Sequence, residues 1–600
     1  MTETTTMPNA IDEPVEYLLQ VIDLTIAIKQ GAHWLDIVKG VSFNIQQGEA
    51  LGIVGESGCG KSLTVQAIMR LLPQPDIKIR QGKILFKGID LVQLNSRDLN
   101  KIRGNQIAMI FQEPMTALNP VRTIGSQIIE QLTLHNPDLT QEEEKRRCLE
   151  LLNDVGIDLA EQRIDNYPHQ LSGGMRQRAM IAMALSCNPE LIIADEPTTA
   201  LDVNIQAQIL SLLHSLQQKY NTSLLFISHD LAVIAQVCES ALVMYAGKII
   251  ERAKVTDLFQ QPQHPYTQAL ILCSPSKQHP RRAELPSIPQ ADDIKNESED
   301  NQRQRFQQVL KKYEKAQLTP RLAPQLDEQQ PEPDESKIIL AVNNLNKSFE
   351  LDSSIFSFKK NDFKAVNNAS LTLTQGKTLG IVGTSGSGKT TLAKMIAGLL
   401  TADSGEILFN QKPLAKQRLL LARDIQYIFQ DPQESLNSRH NIENLLTEPL
   451  KIHKIGNRQQ RIDKAKSVLS LVGLPDTILQ RFPHEFSGGQ KQRIGIARAL
   501  MLEPKLLICD EPVSALDVSV QAQVLNLLVD LQDKLKLSII FITHDLAVVR
   551  HLANDIAVMH QGEIIEYGDA VQICDHPQKN YTQELIASTP TWPILDNRLA

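Results

Sequence analysis

The sequence predicts an α/β protein made of two tandem copies of one domain, and three observations predict it. The first is a repeat in register. Leu171-Ser172-Gly173-Gly174-Met175-Arg176-Gln177-Arg178 recurs as Phe486-Ser487-Gly488-Gly489-Gln490-Lys491-Gln492-Arg493, 315 residues further on. Asp195-Glu196-Pro197, His229-Asp230-Leu231 and Tyr266-Thr267-Gln268 recur at the same offset, as Asp510-Glu511-Pro512, His544-Asp545-Leu546 and Tyr581-Thr582-Gln583. A repeat of this length is a duplicated domain, not a solenoid unit. The second observation is periodicity. Short apolar runs such as Leu191-Ile192-Ile193-Ala194 alternate with helix-length segments, the pattern of buried parallel strands. The third is length: 600 residues exceed what one core can organise.

The copies span residues 18–275 and 338–590, between short tails at 1–17 and 591–600. From 276 to 337 the chain turns polar and Pro-rich, as in Gln329-Gln330-Pro331-Glu332-Pro333. This reads as a solvated linker with one helix near Arg303–Lys315. The start lacks the charged and apolar regions of a signal peptide, and no run of about 18 apolar residues is present to span a bilayer. Seven cysteines lie scattered without metal-binding or disulfide spacing, which fits a reducing compartment. A net charge of −8 gives no sign of a nucleic-acid surface.

Two segments fit the phosphate-loop pattern GxxxxGK[ST]. They are Gly55-Glu56-Ser57-Gly58-Cys59-Gly60-Lys61-Ser62 and Gly383-Thr384-Ser385-Gly386-Ser387-Gly388-Lys389-Thr390. Each follows an apolar strand and opens a helical pattern, the context the motif requires. Glycines let backbone N–H groups converge on an anion, and the helix N-terminus adds partial positive charge. Lys61 and Lys389 can reach β- and γ-phosphates, and Ser62 and Thr390 can offer a hydroxyl to Mg²⁺. Cys59, at a helix start, is a candidate for thiol-reagent sensitivity; its blander reading is a small residue where the other copy has Ser387.

Two apolar strands end in paired acids, Asp195-Glu196 and Asp510-Glu511, where α/β sheets bind ligands. Asp195 and Asp510 suit a Mg²⁺ shell, while Glu196 and Glu511 suit orienting or deprotonating an attacking water. Ser172 and Ser487 sit where helix N-caps belong. Ser172-Gly173-Gly174 and Ser487-Gly488-Gly489 therefore offer a second anion-binding helix start in each copy, suited to nucleotide held by the other copy.

The succession of phosphate loop, Gln112 or Gln430, Ser-Gly-Gly, Asp-Glu, Ala200-Leu201-Asp202 or Ala515-Leu516-Asp517, then His229 or His544 resembles the ATP-binding-cassette ATPase, twice over. The resemblance implies that each copy has a mainly parallel core sheet, an antiparallel β subdomain and a helical subdomain. It also implies a head-to-tail pairing of the two cassettes, with ATP between one phosphate loop and the opposite Ser-Gly-Gly. Lys61 and Glu196 would then work with Ser487, and Lys389 and Glu511 with Ser172. His229 and His544 would contact the γ-phosphate, and Gln112 and Gln430 would touch Mg²⁺ or water. The family stacks an aromatic on adenine near the end of its first strand. Phe349 can serve in the second copy, but Ile28 stands at the similar place in the first, so stacking is weaker there or Trp34 substitutes.

The stretches Gln112-Glu113-Pro114-Met115 and Gln430-Asp431-Pro432-Gln433, and His264-Pro265-Tyr266-Thr267, resemble the ATPases of bacterial oligopeptide, dipeptide and nickel importers. That likeness implies ATP and Mg²⁺ as cofactors, two integral-membrane permease subunits and a periplasmic substrate-binding protein as partners, and no nucleic acid. It places the chain peripherally, at the cytoplasmic face of the inner membrane. Only Cys273 follows the His-Pro-Tyr-Thr segment closely, so the iron–sulfur cluster of some relatives is not expected. The main rival is a soluble tandem cassette ATPase acting in translation or ribosome rescue. A DNA-repair ATPase would need CxxC pairs, and an exporter commonly carries fused membrane helices. The copies lose register only upstream: the offset is 328 at the lysines and 318 at the glutamines, so indels fall mainly between phosphate loop and glutamine.

Overall fold

The computed structural model describes residues 17–199, 201–276, 279–289, 297–318, 337–350, 362–414, 422–431, 435–514 and 516–589. Outside them fall the two tails apart from Tyr17, the Pro-rich stretch 319–336, Ala200, Ala515, and Pro432 to Glu434. The chain divides into two compact units. One comprises 1–199, 209–261 and 593–600; the other comprises 200–208 and 262–592.

The first unit contains strands β1 (Leu19–Gln30), β2 (His33–Ile45), β3 (Ala50–Val54), β4 (Ile77–Phe86), β5 (Ile89–Asp90), β6 (Ile107–Ile110), β7 (Leu191–Asp195), β8 (Ser223–Ser228), β9 (Ser240–Tyr245) and β10 (Lys248–Lys254). They form an antiparallel sheet in the order β2-β1-β4-β5 and a six-stranded sheet in the order β10-β9-β3-β8-β7-β6. Within the latter, β6, β7, β8, β3 and β9 run parallel, and β10 is an antiparallel edge. β3, β7 and β8 are buried along their whole length. Their Ile/Leu/Val runs therefore need no polar alternation. Leu24, Ile26, Val38, Phe86, Ile53, Ile193 and Leu225 join both sheets in one core. Helices Ile124–His135, Gln141–Asp154 and Gly173–Leu185 pack together as the helical subdomain.

The second unit repeats this plan. Its strands are β11 (Ile338–Glu350), β12 (Asp362–Thr374), β13 (Thr378–Val382), β14 (Ser404–Phe409), β15 (Lys412–Pro413), β16 (Ile425–Ile428), β17 (Leu506–Asp510), β18 (Ser538–Thr543), β19 (Asp555–His560) and β20 (Glu563–Asp569). The orders are β12-β11-β14-β15 and β16-β17-β18-β13-β19-β20, the same two sheets. β14 has 6 residues where β4 has 10, so part of the lost register lies in the antiparallel subdomain.

The stretch between the copies is not wholly solvated. Its helix runs Glu299–Leu318, longer than expected, and buries Phe306 edge-on against Tyr266 of helix Pro265–Cys273. Upstream of it, residues 282–288 run along helix Val518–Leu535. Asn526 reads both backbone groups of Leu285: it accepts from the N–H at 3.0 Å and donates to the carbonyl at 2.8 Å. Gln523 donates to the Ile288 carbonyl at 2.8 Å, and Arg282 reaches Gln532 and Asp533. The reason is composition. Leu285 and Ile288 are buried, and their backbone must be satisfied once water is excluded.

Candidate active site

In the first unit the parallel sheet collects the expected residues at its carboxyl edge, because β3, β8, β7 and β6 are successive neighbours. The phosphate loop leaves β3 and enters helix Lys61–Ile68 through Gly60, at φ 103°, a backbone state that favours glycine. A side chain at Gly55 would meet the Met244 carbonyl oxygen at 2.3 Å, so only glycine lets the loop turn under β9. Buried Lys61 donates through Nζ to the carbonyls of Gly55 at 2.7 Å and Glu56 at 3.0 Å. Ser62 Oγ donates to Asp195 Oδ1 at 2.9 Å. Glu196 Oε2 accepts from Gln112 Nε2 and from Thr199 Oγ1, each at 3.0 Å, and His229 Nδ1 lies 3.4 Å from the same oxygen. Lys61 Nζ is 4.0 Å from Glu196 Oε1.

The second unit builds the same cluster with two differences. Lys389 Nζ donates to the carbonyls of Gly383 and Thr384, both at 2.8 Å, and Thr390 Oγ1 donates to Asp510 Oδ1 at 3.1 Å. Gln430 Nε2 donates to Glu511 Oε2 at 3.0 Å, with His544 Nδ1 at 3.7 Å. Tyr427, which stands on β16 where β6 has Met109, donates to Asp510 Oδ2 at 2.5 Å. Ser514, in the place of Thr199, bonds the Glu511 backbone carbonyl at 3.1 Å and so leaves the carboxylate alone.

The two acids of each pair are pushed in opposite directions. Burial lifts the Asp195 carboxyl to about 6, aided by the charge on Glu196 and opposed by Ser62 and Lys61. Burial would lift Glu196 too, but the bond and charge of His229, with Lys61 and Thr199, outweigh it and hold that carboxyl at about 2. In the second unit burial likewise raises Asp510, against its bonds from Tyr427 and Thr390. Glu511 is lowered because His544 and Lys389 overcome its burial. Burial depresses Lys389 against the pull of Glu511 and Asp510.

A feature the sequence did not disclose is backbone strain at both glutamates. Glu196 has φ 46° and Glu511 φ 45°, although each precedes a proline and carries a side chain. The Glu196 N–H is tied to the Ile227 carbonyl and the Glu511 N–H to that of Ile542, and these bonds fix the turn off the strand. Tyr427 and Thr199 were likewise missed, for neither belongs to a motif; only a side-by-side reading of β6 and β16 would have flagged Tyr427.

Ser172 and Ser487 cap helices Gly173–Leu185 and Gly488–Leu500, accepting from the N–H groups of Met175 and Gln490 at 3.4 Å. Ser172, Gly173, Ser487 and Gly488 are exposed, so both helix starts are open to an anion, while Gly174 and Gly489 are buried. Within each unit these caps stand apart from the hydrogen bonds that join lysine, Asp-Glu, glutamine and histidine. Phe349 is 41% exposed near the end of β11, with Lys347 Nζ 5.7 Å from its ring centre. Ile28 pairs with Leu35 across the first sheet, and Trp34 lies next to it under Lys78 Nζ at 4.0 Å. Cys59 departs from the reagent-sensitive reading. Its side chain is 2% exposed within the core cluster, so its role is that of a small packed residue.

The residues fit a magnesium ion. Ser62 with Asp195, and Thr390 with Asp510, are hydroxyl–carboxylate pairs of hard oxygen donors already at hydrogen-bond distance. Among the described residues no group of three or more His, Cys, Asp or Glu could hold a metal, so the remaining ligands would be phosphate oxygens or water.

A phosphate loop opening a helix, with an acid pair ending a parallel strand two places along the same sheet, defines a phosphate-loop nucleotide-binding ATPase. The family model "ABC transporter" matches residues 38–199 and 366–514, and "Oligopeptide/dipeptide transporter, C-terminal region" matches 250–306 and 565–597. The chain is similar to the glutathione import ATP-binding protein GsiA of Salmonella paratyphi A, 42% identical over 596 residues, covering 97% of this chain and 91% of that protein. The protein of the same name from Escherichia coli K12 is 41% identical over 593 residues, with the same coverage. A solved structure, the dimeric post-hydrolysis state of the ATP-binding cassette MJ0796 bound to ADP and Pi, aligns over 40% of this chain and 98% of its own, at 30% identity and TM-score 0.36. The chain belongs to the ABC transporter family. It is an ATP-binding, ATP-hydrolysing subunit of an importer, and the translation-factor reading has no support. No helix among the described residues is long and apolar enough to cross a membrane.

Proposed function

We propose that the chain drives uptake of a short peptide or related small solute by hydrolysing ATP at two composite sites. Each site would pair one unit's phosphate loop with the Ser-Gly-Gly helix start of the other. The observation that carries this reading is the complete cluster of lysine, hydroxyl, Asp-Glu, glutamine and histidine in both units. The solute class is supported by the names of the similar proteins and by the second family region. Two membrane permeases and a periplasmic binding protein would complete the importer, with this chain peripheral at the cytoplasmic face.

In this mechanism Lys61 and Lys389 exchange their carbonyl partners for the β- and γ-phosphates. Ser62, Asp195 and Gln112, and Thr390, Asp510 and Gln430, would hold Mg²⁺, which when bound would screen phosphate charge. Glu196 and Glu511, kept ionised, accept a hydrogen bond from the attacking water and orient it. Glu196 is held at about 2 and Glu511 is lowered by the equivalent histidine and lysine contacts, so both are weak bases at neutral pH and orientation outweighs early proton removal. His229 and His544 turn from the glutamate towards the γ-phosphate. ATP across both sites favours the closed pairing, and loss of the γ-phosphate releases it. The exposed stretch that follows Gln112, with Met115 at 48% exposure, would carry that movement to a permease.

The test is steady-state ATPase of the full chain with its permeases. Glu196→Gln and Glu511→Gln are each expected to lower turnover by about a hundredfold. Near-normal activity in either variant sinks the claim of two working sites.

A further inference from the structure

The C-terminal region that follows the second cassette reaches its phosphate loop. The Tyr581 hydroxyl accepts a hydrogen bond from the Thr384 backbone N–H at 3.0 Å and lies 3.0 Å from Thr384 Oγ1. One hydroxyl can serve both partners, accepting from the amide and donating to the threonine. Tyr581 is held firmly enough to act as a strut. Helix Asn580–Ser588 is fastened to β20 by Glu566, which accepts from the Gln578 N–H at 2.8 Å and from Thr582 Oγ1 at 2.6 Å. Thr582 and Leu585 are buried beneath it. The tyrosine ring rests on His560 at the end of β19, with centroids 4.0 Å apart. The neighbouring Met559 carbonyl is the group that crowds Gly383, so strand end, tyrosine and loop form one packed unit.

We propose that Tyr581 is a positioning residue for ATP binding, holding the second phosphate loop in its nucleotide-ready shape. Thr384 stands second in a loop with glycines at 383, 386 and 388, and such a loop loses much backbone entropy when it wraps an anion. A strut that fixes the loop beforehand removes part of that cost, which appears as affinity. Tyr581 touches no reacting atom and works through Thr384.

The inference rests on the reading that Lys389 and its loop hold ATP, and the experiment separates the two. In the full chain carrying Lys61→Ala, so that the second site is read, binding of AMP-PNP with Mg²⁺ is measured by calorimetry. Tyr581→Phe is expected to raise Kd about fivefold, the worth of one ordinary hydrogen bond. In the chain with Lys61 intact it should raise KM for ATP and leave kcat unchanged. Thr384→Val, which keeps Tyr581 and removes one of its partners, should weaken binding in the same direction and serves if Tyr581→Phe does not fold. Unchanged Kd in both variants, with Lys389→Ala weakening binding, overturns the role of Tyr581 alone. Unchanged affinity in Lys389→Ala overturns the phosphate-loop reading beneath it.

Discussion

At the residue scale, one carboxylate oxygen in the first unit is more heavily engaged than its counterpart. Glu196 Oε2 collects Gln112, Thr199 and His229, whereas Ser514 turns its hydroxyl to backbone and leaves Glu511 with glutamine and histidine. A hydrogen bond to a charged group is worth about 1.5–3 kcal/mol. Thr199→Val is therefore expected to cut single-turnover hydrolysis at the first site by about tenfold. Ser514→Ala should stay within about twofold at the second. Equal effects of the two would show that the threonine hydroxyl does not hold the glutamate. Both glutamates also sit at positive φ, a strain of about 1–3 kcal/mol that each unit sustains by tying the backbone N–H to the next strand.

At the element scale, the segment after helix Pro265–Cys273 contains a pH-sensitive anchor. His279 is buried, its Nδ1 lies 2.9 Å from Ser276 Oγ, and its ring meets Tyr313 edge-on. Burial lowers its pKa from 6.5 to about 4. The native state then binds fewer protons than the unfolded state between those values. This stabilising contribution is present above pH 6.5 and is lost as pH falls towards 4, up to about 3 kcal/mol. Melting of the second unit should drop between pH 7 and pH 5, and His279→Gln should flatten that drop. An identical slope in the variant would assign the acid sensitivity elsewhere. The same element explains why a composition that reads as linker is partly structured: Asn526 and Gln523 supply by side chain the bonds that water would otherwise give Leu285 and Ile288.

At the scale of the whole molecule, the second compact unit takes in residues 262–318, which the repeat assigns to the first copy and the linker. A protease site inserted within 319–336 should therefore leave fragments 1–318 and 337–600 associated after cleavage. They should co-elute at micromolar concentration in size-exclusion chromatography. Arg282→Ala with Asn526→Ala should weaken that association, because it removes the Arg282 contacts and the paired bonds to Leu285. Separation of the unmutated fragments at that concentration would contradict the packing of residues 282–288 along helix Val518–Leu535. One continuous chain also keeps the two units at high effective concentration, without needing a tight contact between them.

The α/β plan, the duplication, and the members of the two clusters of lysine, hydroxyl, Asp-Glu, glutamine and histidine were legible in the sequence. The plan, the duplication, the phosphate loops and the acid pairs follow from local pattern, whereas the glutamines and histidines were placed by resemblance to the family. Apolar runs become buried strands, glycines open the phosphate loops, and parallel neighbours must bring strand ends to one edge. The rest depended on packing between distant elements. That packing placed Tyr427 on Asp510, Thr199 on Glu196 and Tyr581 on Thr384, buried Cys59, and laid residues 282–288 along a helix more than 230 residues away in sequence. The physical reason is that a single hydroxyl or amide carries no periodicity. Its partner is set by whichever strand or helix packs opposite, and that choice is made when water leaves the core.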